Sequence, residues 1–185
     1  MLTHMRSLRI GLAIALAAVP VAALAHPGMS APAHGFTQGV AHPFQGIDHI
    51  IAMVAVGMIA ARMGRLALWA LPCAFLSMMA LGGFLGIEGI DVPFVEAGIL
   101  VSLPVLGFAV VFNWKAPTVV AVAVSGVFAV FHGHAHGAEM TAGTSWAAYG
   151  GGFLLATALL LLTGICFGAA LEKVLARRVR EVTSP

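Results

Sequence analysis

Between Val40 and Leu171 charged residues are so sparse that each can be named: Asp48, Arg62, Arg65, Glu88, Asp91, Glu96, Lys115 and Glu139. They divide the chain into apolar runs of about twenty residues, the length a helix needs to cross a hydrocarbon core about 30 Å thick. The 185-residue chain is 61% hydrophobic and 9% charged, with mean hydropathy +1.02. A soluble domain carries about 25% charged residues. The fold class implied is all-α, a polytopic membrane helix bundle resident in the lipid bilayer.

Residues 1–25 read as a cleavable secretory signal. Arg6 and Arg9 form a positive n-region, Ile10 to Ala18 an apolar h-region, and Ala23-Leu24-Ala25 a small-residue cleavage site. An uncleaved first helix is the competing reading, but its apolar core of about 15 residues is short for a span. Cleavage leaves His26 at the mature N-terminus, where its α-amine and imidazole offer a chelating pair. A single transmembrane domain, 26–185, follows, with about five spans expected near 40–61, 66–86, 93–112, 116–136 and 146–171. Pro93 suits the first turn of the third span. Residues 172–185 form a basic tail with Lys173, Arg177, Arg178 and Arg180.

If the signal delivers His26 outside, every later Lys and Arg falls on the cytoplasmic side. Glu88, Asp91 and Glu139 then fall outside, in agreement with the positive-inside rule. The expected location is the bacterial inner membrane, with a periplasmic mature N-terminus and a cytoplasmic C-terminus. Trp69, Trp114 and Trp146 stand near span ends, where aromatic belts belong. Gly57-x-x-x-Ala61, Gly152-x-x-x-Ala156 and Gly164-x-x-x-Gly168 let helices approach closely. They are compatible with a homo-oligomer without selecting one. The scattered methionines and the isolated Cys73 and Cys166 read as packing residues.

Chemistry concentrates in Phe131-His132-Gly133-His134-Ala135-His136-Gly137-Ala138-Glu139. On a helix, His132, His136 and Glu139 lie within roughly 60° of one another, whereas His134 points to the other side. Imidazoles and a carboxylate on one face suit a divalent transition metal. A second cluster, His42-Pro43-Phe44-Gln45-Gly46-Ile47-Asp48-His49, opens the first span. His42 and His49 would be about 10 Å apart on a continuous helix, so one ion reaches both only if Pro43 and Gly46 unwind it. Asp48 is costly at this depth unless it faces a polar interior or a cation. With Glu96 in the outer turn of the third span, the ionisable groups share one depth. Glu88 and Asp91 read as a solvated acidic loop that concentrates cations.

These two motifs resemble the signatures of the HupE/UreJ family of hydrogenase and urease accessory membrane proteins, implicated in nickel or cobalt uptake. The likeness rests on His-Pro-x-x-Gly-x-Asp-His at His42–His49 and Phe-His-Gly-x-Ala-His-Gly-x-Glu at Phe131–Glu139. Pro93-Phe94-Val95-Glu96, running on to Ser102, resembles the family's third span. The resemblance implies that His42, Asp48, His49, His132, His136 and Glu139 handle the metal. His26, His134 and Glu96 are further candidates.

The function expected is therefore a secondary permease or facilitator carrying nickel, with cobalt the other candidate, as transported ion rather than permanent cofactor. Hydrogenase or urease maturation proteins are the expected partners, with no nucleic acid. No P-loop, H-E-x-x-H or G-x-S-x-G occurs, so neither nucleotide hydrolysis nor intramembrane proteolysis has visible support. Two rivals remain: an accessory scaffold for metal-centre assembly, and a haem-binding electron carrier with paired histidines as axial ligands.

Overall fold

The computed structural model describes residues 35–140 and 143–183, and these are helical, with no strand among them. The signal segment and His26 lie outside the described residues. Six α-helices follow in order: α1 (Gly35–Ala41), α2 (Ile47–Met63), α3 (Arg65–Ile87), α4 (Val95–Val111), α5 (Thr118–Ala138) and α6 (Trp146–Thr183). Three of them, α3, α5 and α6, are long and apolar enough to cross a membrane, and α1 with α2 makes a fourth if taken as one bent span. The expected third span is α4, an apolar helix of 17 residues.

The first span departs from a straight rod. A 3₁₀ turn at His42–Phe44 and extended Gly46 separate α1 from α2, which are bent 80° apart. Pro43 has no N–H to continue an α-helical ladder, so the chain tightens there and restarts at Ile47. Its freed groups re-pair locally, Gln45 N–H to the His42 carbonyl at 3.0 Å and Ile50 N–H to that of Gly46 at 3.2 Å. The expectation that Pro93 sits in the first turn of its helix is corrected. Phe94 adopts left-handed backbone (φ 62°) and α4 begins only at Val95. The last helix is longer than the expected span. It has no Gly or Pro between Gly168 and Pro185, and Leu, Glu, Lys, Ala and Arg carry the helix on through the basic tail to Thr183. At 38 residues α6 is about 57 Å long.

Two seams of small residues organise the bundle. Along α3 and α5, a Cβ on Gly133 would lie 2.1 Å from the Met79 carbonyl oxygen, and one on Gly137 would lie 2.1 Å from that of Gly83. The α2–α6 seam is built alike. A Cβ on Gly57 would meet the Leu161 carbonyl at 2.1 Å, and one on Gly164 would meet that of Val54 at 2.2 Å. Helices in lipid gain little from hydrophobic exclusion, so such backbone approach supplies the packing. Met53, Val56, Leu71, Phe75, Met79 and Leu161 are fully buried between the pairs, while Trp69, Val119 and Phe167 face outward. The peripheral member is α4, which packs only on α2 and α5.

Candidate metal centre

The kink at Pro43 turns the end of the α1 segment toward the last turn of α5. As a result His42 Nε2 lies 2.8 Å from His136 Nδ1 and 3.1 Å from Glu139 Oε2. His136 reaches further inward, with its Nε2 2.9 Å from Nδ1 of His49, the third residue of α2. Glu139, the residue that ends α5, places Oε2 3.7 Å from His136 Nδ1. One ligand atom each from His42, His136 and Glu139 therefore falls within 4.8 Å of the other two.

For neutral rings the proton positions are forced. A carboxylate only accepts, so His42 Nε2 carries a hydrogen. His136 Nδ1 then accepts, and its Nε2–H donates to His49 Nδ1. That leaves the proton of His49 on Nε2, a buried atom with no hydrogen-bond partner among the described residues. An orphan of this kind deep in a core calls for an explanation. The neighbouring His132 is buried too, its ring centroid 5.3 Å from that of His49. Ser102 of α4 donates its hydroxyl to the Ile99 carbonyl at 2.6 Å and so receives His132 Nε2–H at 3.1 Å. The lone pair of His132 is thereby fixed on Nδ1.

The far wall is aromatic and comes from α6. Phe153 stands 4.9 Å from the His136 ring and 5.3 Å from that of His49, with Tyr149 5.8 Å from His42. The wall limits water on that side, while Glu139 remains half exposed and keeps a mouth open. The neighbouring imidazoles of His136 and then of His42 hold the Glu139 carboxyl down to about 2. It is a permanent anion at the entrance.

This donor set fits a divalent transition metal. A four-coordinate sphere with metal–nitrogen bonds of about 2.0–2.1 Å spaces its donors about 3.3 Å apart. The three separations here, 2.8, 3.1 and 3.7 Å, straddle that spacing. An ion would take the place of the shared hydrogen at His42 Nε2. Rings in mutual hydrogen-bond contact leave no room for a flat macrocycle between them, so the haem arrangement has no support in this geometry.

Four sequence candidates lie outside the coordinating group. Asp48 is half buried, and its Oδ1 accepts the backbone N–H of His49 at 2.9 Å, which pins the start of α2. His134 points away from the cluster and bonds the Ile90 carbonyl at 2.9 Å, tying α5 to the loop after α3. Glu96 is exposed on the first turn of α4, and none of the described hydrogen bonds or ion pairs joins it to the imidazoles. His26 lies outside the described residues. Phe153 and Tyr149, by contrast, carried no signal in the sequence beyond being aromatic beside three glycines. Ser102 entered only as the end of the segment Pro93–Ser102, without a role.

Fold and donors together define a helical membrane protein with an imidazole–carboxylate centre at one end of its bundle. The family described as "HupE / UreJ protein" matches residues 14–184, and the chain belongs to the HupE/UreJ family. It is 47% identical to "Protein HupE" of Rhizobium leguminosarum bv. viciae over 150 residues, 81% of this chain and 78% of that one. No solved structure matches the chain.

Proposed function

We propose that the protein is a secondary permease that admits a divalent transition metal, nickel or cobalt, across the bacterial inner membrane. The observation that carries this reading is the chain Glu139–His42–His136–His49. It begins at a half-exposed carboxylate, recruits donors from two separate helical segments and ends on a buried, unpartnered imidazole nitrogen. A hydrated dication cannot enter hydrocarbon unless other donors replace its water. The anion at the mouth attracts it, and the nitrogens take over coordination step by step. Selectivity then rests on geometry and availability, because affinity order alone favours copper over nickel.

Orientation supports inward transport. Arg62, Arg65, Lys115 and the basic stretch of α6 share one end of the bundle, and the imidazoles occupy the other. By the positive-inside rule the imidazole end is periplasmic. The deciding measurement is uptake of radioactive nickel and cobalt into proteoliposomes. Wild-type protein should fill the vesicles, and His136→Ala and Glu139→Gln should cut the initial rate about tenfold or more, one charge-assisted contact being worth about that factor. Wild-type vesicles no more permeable than protein-free ones would remove the permease reading. They would leave the accessory role in metal-centre assembly.

A further inference from the structure

The aromatic wall beside the imidazoles carries one polar atom, the hydroxyl of Tyr149, that no side chain of the candidate centre engages. Tyr149 stands near the start of α6, where its N–H donates to the Ser145 carbonyl at 2.9 Å. Only 4% of the residue is exposed. Its hydroxyl is buried and has no hydrogen-bond partner among the described residues. The carboxylate of Glu139 acts on it electrostatically, yet no hydrogen bond joins the two. A phenol left in this state costs about 1–3 kcal/mol of desolvation, and a phenylalanine of the same outline would not incur that cost. Buried tyrosine hydroxyls usually have a partner.

The backbone leaves the ring little freedom to seek one. Along this stretch α1 lies so close to α6 that a Cβ on Gly39 would stand 2.0 Å from the Tyr149 carbonyl oxygen, and one on Gly152 would stand 2.2 Å from that of Phe36. The ring itself lies 12° from parallel to Phe153, with centroids 6.3 Å apart, and meets His42 edge-on at 5.8 Å. The phenol is therefore fixed beside His42 and bonded to none of the donors.

Three protein donors do not complete a coordination sphere. His42, His136 and Glu139 offer one ligand atom each, and an ion held by three protein ligands keeps water at an open position. A water on a dication donates its hydrogens, and a phenol oxygen accepts them. Neighbouring polar groups without a direct bond are commonly joined in this way. We infer that Tyr149 anchors the water that the incoming dication retains at the His42–His136–Glu139 centre, so that the last of its hydration shell is held by the protein instead of being stripped. Tyr149 is a positioning residue here and not a ligand. The inference rests on the reading of this centre as a dication site and adds what completes the sphere on the α6 side. It also accounts for a tyrosine in an otherwise apolar wall, since the orphan hydroxyl destabilises the metal-free protein and gains its partner when ion and water arrive.

The test is Tyr149→Phe, which keeps the ring beside Phe153 and His42 and deletes one oxygen. Full-length protein in detergent is titrated with nickel, and separately with cobalt, by calorimetry, and is melted without metal. Affinity for both ions should fall about tenfold, the worth of one hydrogen bond to a charged group. The metal-free variant should melt at or above wild type, because the deleted hydroxyl had no partner. The visible absorption bands of the cobalt-loaded protein report coordination geometry, and they should differ between variant and wild type. A merely structural hydroxyl would give the opposite pair, unchanged affinity and a lower melting temperature, and that result would overturn the inference. Affinity within about twofold of wild type, well under one such bond, with superimposable cobalt bands would also overturn it, as would wild-type protein that binds neither ion. Binding weakened in Tyr149→Phe, alongside wild-type vesicles that admit no nickel, would count against the permease and for the water anchor.

Discussion

His136 engages both of its ring nitrogens with other imidazoles, Nδ1 with His42 and Nε2 with His49. Removing that ring cuts the chain in two, whereas removing His134 costs only a bond to the Ile90 carbonyl. Calorimetry on detergent-solubilised protein should therefore find nickel binding weakened about a hundredfold in His136→Ala, the upper range for lost metal-site partners. His134→Ala should bind within about threefold of wild type, well under one such contact. The pH response singles out the carboxylate. The Glu139 carboxyl is held to about 2, below its ordinary 4.5. Its stabilising contribution is thus complete above 4.5 and lost only as pH falls through about 2. The difference in thermal stability between wild type and Glu139→Gln should therefore stay constant between about pH 8 and about pH 5. A difference that shrinks over that interval would mean that the carboxyl titrates there. The shared face of His132, His136 and Glu139 could be read from spacing alone. The orientation of Asp48 toward its own backbone could not, because its position is equally compatible with an inward carboxylate.

At the level of helices, the positions that set the candidate metal centre are glycines. Gly133 and Gly137 directly follow His132 and His136 on α5 and press on α3 at Met79 and Gly83. A methyl group at Gly133 would have to displace backbone. Gly133→Ala should cost about 1–3 kcal/mol or more, the range for overpacked cores. It should also lower nickel affinity, since His132 and His136 ride on the displaced helix. At Gly150 of α6 an added Cβ would meet nothing within 4 Å, so Gly150→Ala should melt at or slightly above wild type, Ala being the better helix former. Thermal denaturation in detergent checks both. The spacing Gly57-x-x-x-Ala61 and Gly164-x-x-x-Gly168 marked faces fit for close approach, without showing that α2 and α6 would meet along them. Gly82-x-x-x-Gly86 and Gly133-x-x-x-Gly137 escaped notice because the second pair is embedded in the histidine motif, where the same residues read as chemistry. The break at Pro43 and Gly46 was legible as a condition, since only unwinding lets His42 and His49 serve one ion. Its 80° angle depends on how α1 packs against α6 and could not be derived from local sequence.

Among the described residues every Lys and Arg gathers at one end of the bundle, and this was the most legible feature of all. It predicts that a C-terminal fluorescent-protein fusion glows and a C-terminal alkaline phosphatase fusion is inactive, because only a cytoplasmic terminus satisfies both reporters. The reverse pattern would invert the transport direction proposed above. What composition could not convey is that the bundle is assembled from two halves, α3 with α5 and α1–α2 with α6, each fused backbone to backbone. Between α2 and α5 contact is slight, and the described hydrogen bonds that join those two segments run through His49 and His136. A dication seated there would act as a rivet, clamping one half of the molecule onto the other. On the proposed function, binding of the cargo then adds to the cohesion that α2–α3, α2–α4 and α3–α6 packing already supplies. Nickel at a hundred times its dissociation constant should raise the resistance to unfolding by about 2.7 kcal/mol, and a protein that has given up its ion should be correspondingly easier to prise apart.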